Sequence, residues 1–228
     1  MANRHLRGLS PDDIFERWKE RFERVQLELT HLFEMRRKFR DIEAMFTENA
    51  RLNATGSQAW DWLLTLWGRD AVMAIRRELD DDTNVISLGT LLDEMAERPD
   101  VVTRRRYLAF IPADKLWLVE ANDREFTRRG VIRPTADPLD DYLDPAVVRA
   151  DREGLESAAE PVLEYANQMV AHRTPAKSLA VRVKDIHRAL DAMEPVLQKY
   201  FVLMEGRSLV QLEPANLGDD WKDVFTFA

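Results

Sequence analysis

The sequence predicts an all-α fold, and two kinds of observation support that prediction. The 228 residues include only 8 glycines and 10 prolines, which is few for a turn-rich β fold. Leu, Ala, Glu, Arg and Met are abundant, and all five are good helix formers. Apolar residues also recur every three or four positions over long segments, as amphipathic helices require. We therefore predict one helical-bundle domain over residues 1–228, with a helical insertion around 99–143.

The first predicted helix covers about residues 11–50. Ser10 is a favourable N-cap, Pro11 suits the first helical position, and the two aspartates that follow favour the positive end of the helix dipole. A bend or break is expected near Phe39. The apolar positions of this helix are Ile14, Trp18, Phe22, Val25, Leu29, Leu32 and Phe33.

A second helix is predicted over residues 57–79, after the break "TGS", and its wide apolar stripe predicts deeper burial. That stripe consists of Trp60, Leu63, Leu64, Trp67, Ala71, Ala74 and Ile75. Ser87 then caps a short helix that stops before Pro99. In the insertion, "TRRRYLAFI" and "ADKLWLVEANDREFTRRG" predict short helices, and "VIRPTADPLDDYLD" predicts a loop.

Two long helices are predicted in the last third of the chain, over 145–171 and 175–205. Each begins with a capping residue followed by proline, Asp144–Pro145 and Thr174–Pro175. Kinks are expected at two internal prolines, and a glycine ends the second helix. The tail, 207–228, is expected to dock on the body through Trp221, Phe225 and Phe227.

Composition also excludes several functions. The chain has no cysteine, which excludes disulfides, zinc–thiolate sites, iron–sulfur clusters and thiol nucleophiles. No secretory signal and no apolar run of about 20 residues is visible, so we expect a cytoplasmic protein with no membrane partner. The net charge of −8 argues against indiscriminate nucleic-acid binding, and no DNA partner is expected. Neither phosphate-binding glycine loops nor dinucleotide fingerprints occur, so we expect no cofactor.

Two patterns have both a functional and a structural interpretation. Glu28 and His31 form a Glu-x-x-His pair, as in di-metal bundles, but a second pair is missing and a surface role is favoured. No metal site is therefore expected. The arginine-rich stretches "RRELDDD", "RRR" and "REFTRRG" either contact phosphate or form local ion pairs on solvated faces. Arg76 is predicted to be held structurally by a partner such as Asp80.

The stretch "NQMVAHRTPAK" places His172 at the junction between the last two predicted helices. Histidines at helix C-termini are commonly structural, because the dipole favours them there. Imidazole also titrates near neutral pH, which suits a general acid or base. Both roles remain open from spacing alone.

Three stretches resemble the HEPN superfamily and its AbiU-like branch, which is linked to abortive phage infection. They are "YANQMVAHR" (165–173), "AVMAIRRELDDDTNVISLGTLLDEM" (71–95) and "DDWKDVF" (219–225). The resemblance implies an all-helical, metal-independent endoribonuclease that acts as a homodimer. In that family an arginine and a histidine act on the scissile phosphate and the RNA 2′-hydroxyl.

The resemblance assigns the site residue by residue. His172 matches the motif histidine, and Asn167 matches the polar residue that often follows the motif arginine. Ala166 stands where that arginine belongs, so the group that stabilises charge on the phosphate is missing. Arg173 or Arg76 are the candidate replacements. Two functions stay open: an RNA-cleaving enzyme of phage defence or toxin–antitoxin type, and a catalytically silent module that binds a partner protein.

Overall fold

A computed structural model describes residues 6–50, 57–130, 132–133, 135–168 and 181–206 of the chain. Within these residues it contains seven α-helices and a single two-stranded pairing. The predicted all-α fold class is therefore confirmed.

The helices and strands are numbered separately, each in chain order. The α-helices are α1 (Pro11–Glu48), α2 (Ser57–Glu78), α3 (Leu88–Glu97), α4 (Arg104–Leu108), α5 (Val119–Arg129), α6 (Pro145–Ala166) and α7 (Val183–Glu205). The strands are β1 (Ile132–Arg133) and β2 (Tyr142–Leu143). The described residues also include three 3₁₀ turns, at Pro99–Val101, Ala113–Leu118 and Pro138–Asp140.

Helix α1 begins as the sequence predicts. The Asp13 amide donates to the Ser10 hydroxyl oxygen, and the Asp13 carboxylate accepts from the Ser10 amide, which completes a capping box. The break expected near Phe39 does not occur, because the Phe39 ring stacks on Trp67 of α2 with centroids 4.1 Å apart. The seven predicted apolar positions of α1 are all buried.

Helices α6 and α7 pack against each other, and α6 also contacts α2 and α3. Both helices continue through their internal prolines, Pro161 and Pro195. The Arg188 Nε donates to the Ala158 carbonyl oxygen at 3.1 Å and so links α7 to the proline-containing stretch of α6. Helix α7 begins at Val183, after the non-helical residues 181–182, and the predicted start at Thr174–Pro175 lies outside the described residues.

A buried ion pair joins α1 to α3. The Arg21 guanidinium donates to the Glu94 carboxylate at 2.6 Å, and the Trp18 indole N–H donates to the same carboxylate at 2.8 Å. Arg21 also donates to the Thr90 hydroxyl at 3.0 Å. Because Glu94 is fully buried, these donors are what make its charge tolerable in the core.

The insertion contains α4, α5, the three 3₁₀ turns and the β1–β2 pairing. Residues 135–141 lie outside α-helices, as the predicted loop requires, but β1 and β2 were not predicted. The tail at 207–228 lies outside the described residues, so its docking remains a prediction. Among the described helices, none combines the length and the apolar character needed to cross a bilayer.

Candidate functional site

Asn167 is the one predicted site residue whose position the structure describes. It lies directly after α6, where residues 167–168 form a π-helical turn. Such widened turns often accompany functional sites because they redirect side chains at a helix end. His172 and Arg173 lie outside the described residues, so their geometry relative to Asn167 stays a prediction.

The Asn167 side chain accepts a hydrogen bond from an arginine on another helix. Arg76 Nε of α2 donates to Asn167 Oδ1 at 3.1 Å, although the residues are 91 positions apart in the chain. The predicted partner of Arg76 was Asp80, and that prediction is wrong. Residues 167 and 76 meet because α2 packs against α6, so the contact comes from tertiary structure rather than from helical spacing.

Ala166, which the resemblance aligns with the family's arginine, is fully buried. Its side chain therefore faces the core, where a guanidinium would lose its hydration. Arg76 instead reaches Asn167 from the neighbouring helix and remains half-buried, while Asn167 is exposed. A cation from α2 is thus present beside Asn167.

A cleft of about 260 Å³ lies between α2, the end of α6 and the start of α7. Arg69, two helical turns before Arg76 on α2, lines this cleft together with Tyr165 and Val183. Tyr165 and Gln168 are spaced three residues apart, on one face at the end of α6. Of these two, Tyr165 is a lining residue, whereas the Gln168 amide lies 3.4 Å from the Glu164 carboxylate.

A second, more open cleft of about 600 Å³ lies between α1 and α7, and we call it the α1–α7 cleft. It shares Val183 with the first cleft, so the two adjoin. Its lining residues are Arg40, Glu43, Val183, Lys184, His187, Arg188 and Asp191.

Within the α1–α7 cleft, Arg40 Nη2 lies 3.0 Å from His187 Nδ1. A guanidinium only donates, so Nδ1 accepts and the neutral ring carries its proton on Nε2. The His187 ring packs against Trp67, with centroids 5.6 Å apart, and Trp67 itself stacks on Phe39. The imidazole is therefore held by a buried aromatic stack on one side and by an arginine on the other.

The arginines of the insertion have carboxylate partners. Arg104 bonds to Asp123. Arg105 pairs with Asp137 at 2.9 Å and Asp140 at 3.0 Å. The ion-pair interpretation of "RRR" is therefore supported over a phosphate patch. In "REFTRRG" two arginines likewise share one carboxylate, and the partners are Glu125, Arg128 and Arg129.

Glu28 of the Glu-x-x-His pair forms an ion pair with Arg77 at 2.8 Å, in line with the surface role. In the part of the chain that the structure describes, no three His, Asp or Glu side chains group in a way that suits a metal ion.

Glu78, at the end of α2, is a buried carboxyl group. Its Oε2 accepts from the Leu88 amide at 3.1 Å, which ties α2 to the start of α3. Burial raises the pKa of Glu78 to about 8, and the neighbouring Glu28 charge adds to that rise, whereas the Leu88 hydrogen bond opposes it. Glu78 is therefore largely protonated at neutral pH, and sequence alone did not single it out.

Comparison of the chain with protein-family models, with curated proteins and with solved structures gives no match.

Proposed function

We propose that the chain is a HEPN-like endoribonuclease of phage-defence or toxin–antitoxin type that works without a metal. The observation that carries the proposal is the Arg76 guanidinium, which lies 3.1 Å from the motif asparagine and belongs to a helix outside the motif. In this proposal Arg76 supplies the positive charge that Ala166 cannot.

The geometry of Arg76 suits this role. The bond to Asn167 uses Nε, and a guanidinium carries four further N–H donors on its two terminal nitrogens. Those donors match the bidentate geometry of phosphate oxygens. Asn167 would therefore orient the side chain while the terminal nitrogens stabilise charge that develops on the scissile phosphate.

His172 is the proposed general base. Deprotonation of the RNA 2′-hydroxyl lets that oxygen attack the adjacent phosphorus, and the P–O5′ bond breaks. The products are a 2′,3′-cyclic phosphate and a 5′-hydroxyl, with the proton returned to the leaving oxygen. No metal or cofactor takes part in this step.

A second copy of the chain is the expected partner. Trp62, Leu66 and Met73 of α2 are 63%, 46% and 39% exposed, which is unusual for large apolar side chains on one helix. Their spacing places them on the same face as Arg69 and Arg76. A homodimer that covers this stripe would also bring two copies of Arg76 close to the interface.

The test is cleavage of labelled RNA by the full chain with EDTA present, beside His172→Ala. We expect the wild type to give 2′,3′-cyclic phosphate ends and the variant to lose at least about a hundredfold in rate. Cleavage that survives in His172→Ala, or that requires a divalent ion, would reject this mechanism.

The burial of Ala166 favours a second candidate function, a catalytically silent HEPN-like domain that binds a partner protein. A motif position that faces the core carries no catalytic group, and the apolar stripe on α2 would then be the binding surface. Absence of cleavage by the wild type, together with capture of a protein that Leu66→Glu no longer binds, would favour this function.

A further inference from the structure

The α1–α7 cleft combines three exposed cations from two helices. Arg40 comes from α1, and Lys184 and Arg188 come from α7. They line a cleft of about 600 Å³, which is large enough for a phosphate group and its neighbouring sugar. The chain as a whole carries a net charge of −8, so a local excess of positive charge is unexpected here.

The partners of two of these cations leave their charge uncompensated. Arg40 contacts a neutral imidazole nitrogen at 3.0 Å, and Arg188 donates to the neutral carbonyl of Ala158 at 3.1 Å. Such acceptors fix the direction of a guanidinium without cancelling its charge. An ion pair with a carboxylate would instead have fixed the direction of the guanidinium and also cancelled its charge.

Two carboxylates also line the cleft. Asp191 accepts from the buried Arg36 at 2.7 Å, and Arg36 also pairs with Glu194 at 3.5 Å, so Asp191 and Glu194 share one buried cation. Glu43 is exposed and adds one negative charge to the rim. With His187 neutral, three cations against two carboxylates give the lining a formal charge of +1, and the Arg36 and Glu194 charges behind it cancel.

We propose that the α1–α7 cleft is a phosphate-binding site, with Arg40 as its main ligand and His187 as the residue that positions Arg40. The phosphate group belongs to the backbone of an RNA strand. The choice of RNA as the ligand rests on the proposed function. Binding itself does not require the chain to cut RNA. The cleft adjoins the one that Arg69 and Tyr165 line, so a strand held here lies next to the end of α6.

The test measures binding of a short, fluorescein-labelled 2′-O-methyl oligoribonucleotide by anisotropy, in EDTA. This probe cannot be cleaved, because the attacking hydroxyl is blocked. We expect Arg40→Ala to weaken binding about tenfold, the size of one charge-assisted hydrogen bond. The slope of log K against log salt concentration should become shallower by about 0.7, because one phosphate contact is lost.

The matched control is Arg24→Ala. Arg24 is also an exposed arginine of α1, and it lies outside the cleft. The Arg24→Ala variant should bind the oligonucleotide as tightly as the wild type does. A second variant, Glu43→Gln, removes the rim carboxylate and should tighten binding. Equal losses in Arg24→Ala and Arg40→Ala would show diffuse attraction only and would overturn the proposal.

His187 variants test the positioning role. His187→Asn keeps an acceptor near the Nδ1 position, so binding should stay within about twofold of the wild type, whereas His187→Leu should approach the loss of Arg40→Ala. Equal binding by the two variants would reject this role.

Inorganic phosphate distinguishes the sources of the ligand. If it raises the melting temperature of the wild type but not of Arg40→Ala, the site is supported. If the oligonucleotide then fails to bind, the ligand is a small phosphate compound instead. If neither probe binds the wild type, the site does not exist. Cleavage that survives in His172→Ala would reject the proposed mechanism, yet oligonucleotide binding that Arg40→Ala weakens would leave this inference standing, so the two proposals fail separately.

Discussion

Two groups of arginines in the bundle differ in the charge of their partners. Near the insertion and α3, Arg21 and Arg105 pair with carboxylates. Near the junction of α2, α6 and α7, Arg40, Arg76 and Arg188 donate to an imidazole, an amide and a backbone carbonyl. The charge of the first group is paired with carboxylates within the structure, whereas the partners of the second group are neutral, and we propose that its charge binds an anion.

The proposed action of this acidic chain on RNA rests on that difference. Net charge describes the average field of a molecule, whereas phosphate binding depends on the few cations that no carboxylate neutralises. The predictions that follow separate the two groups of arginines, and they run from the largest expected effect to the smallest.

Arg21→Met should be the most destabilising change, because it leaves the buried Glu94 carboxylate without its cation. We expect a loss of about 3 kcal/mol in the free energy of unfolding, measured by urea denaturation. Arg40→Ala is the control from the other group, and its loss should stay within about 0.5 kcal/mol. Similar losses for the two variants would break the comparison.

Glu78 should make stability fall as the pH rises. Its pKa is about 8 in the folded chain and near the ordinary value of 4.5 when unfolded, so between those values only the folded state holds the proton. The free energy of unfolding should therefore drop by a few kcal/mol, on the order of 3, from pH 4.5 to pH 8.

Glu78→Gln provides the control, since the amide oxygen still accepts from Leu88 and no longer titrates. Its unfolding free energy should be higher than that of the wild type at pH 8, and the gap should close near pH 5. Parallel pH profiles for the two proteins would contradict the assignment.

Leu66→Glu should disrupt association of two copies if the α2 stripe is a dimer interface. Light scattering after size exclusion should give the mass of one chain for the variant and of two chains for the wild type. Leu27→Glu, at a 72% exposed leucine of α1, is the matched control and should remain dimeric. A monomeric wild type would remove the homodimer from the proposal.

Arg105→Ala should have the smallest effect on function. Its partners Asp137 and Asp140 are exposed, and exposed ion pairs contribute little to stability. RNA binding should equal that of the wild type, and the melting temperature should change by less than about 3 °C. A clear loss of RNA binding would show that the insertion forms part of the surface that contacts RNA.

Local signals predicted most of the fold. The Ser10 and Ser87 capping boxes and the Asp144–Pro145 cap mark helix starts that the structure confirms. These signals work because cap and helix lie within four residues of each other. The continuity of α1 past Phe39 was missed, because it depends on stacking against Trp67 of another helix.

The candidate site was less predictable for the same reason. Asn167 was named from its motif, but its contact with Arg76 joins residues 91 positions apart, and Arg40 meets His187 across 147 positions. Helical spacing pointed Arg76 toward Asp80. Only the packing of α2 on α6 shows which partner it has.

The most direct test of this comparison is RNA cleavage in EDTA by Arg76→Ala and Arg77→Ala. The two variants remove the same charge from adjacent positions of α2, but Arg77 is paired with the Glu28 carboxylate. We expect Arg76→Ala to lose about a hundredfold in cleavage rate and Arg77→Ala to cleave as the wild type does. Equal rates for the two variants would contradict the claim that an arginine with a neutral partner supplies the charge used in cleavage.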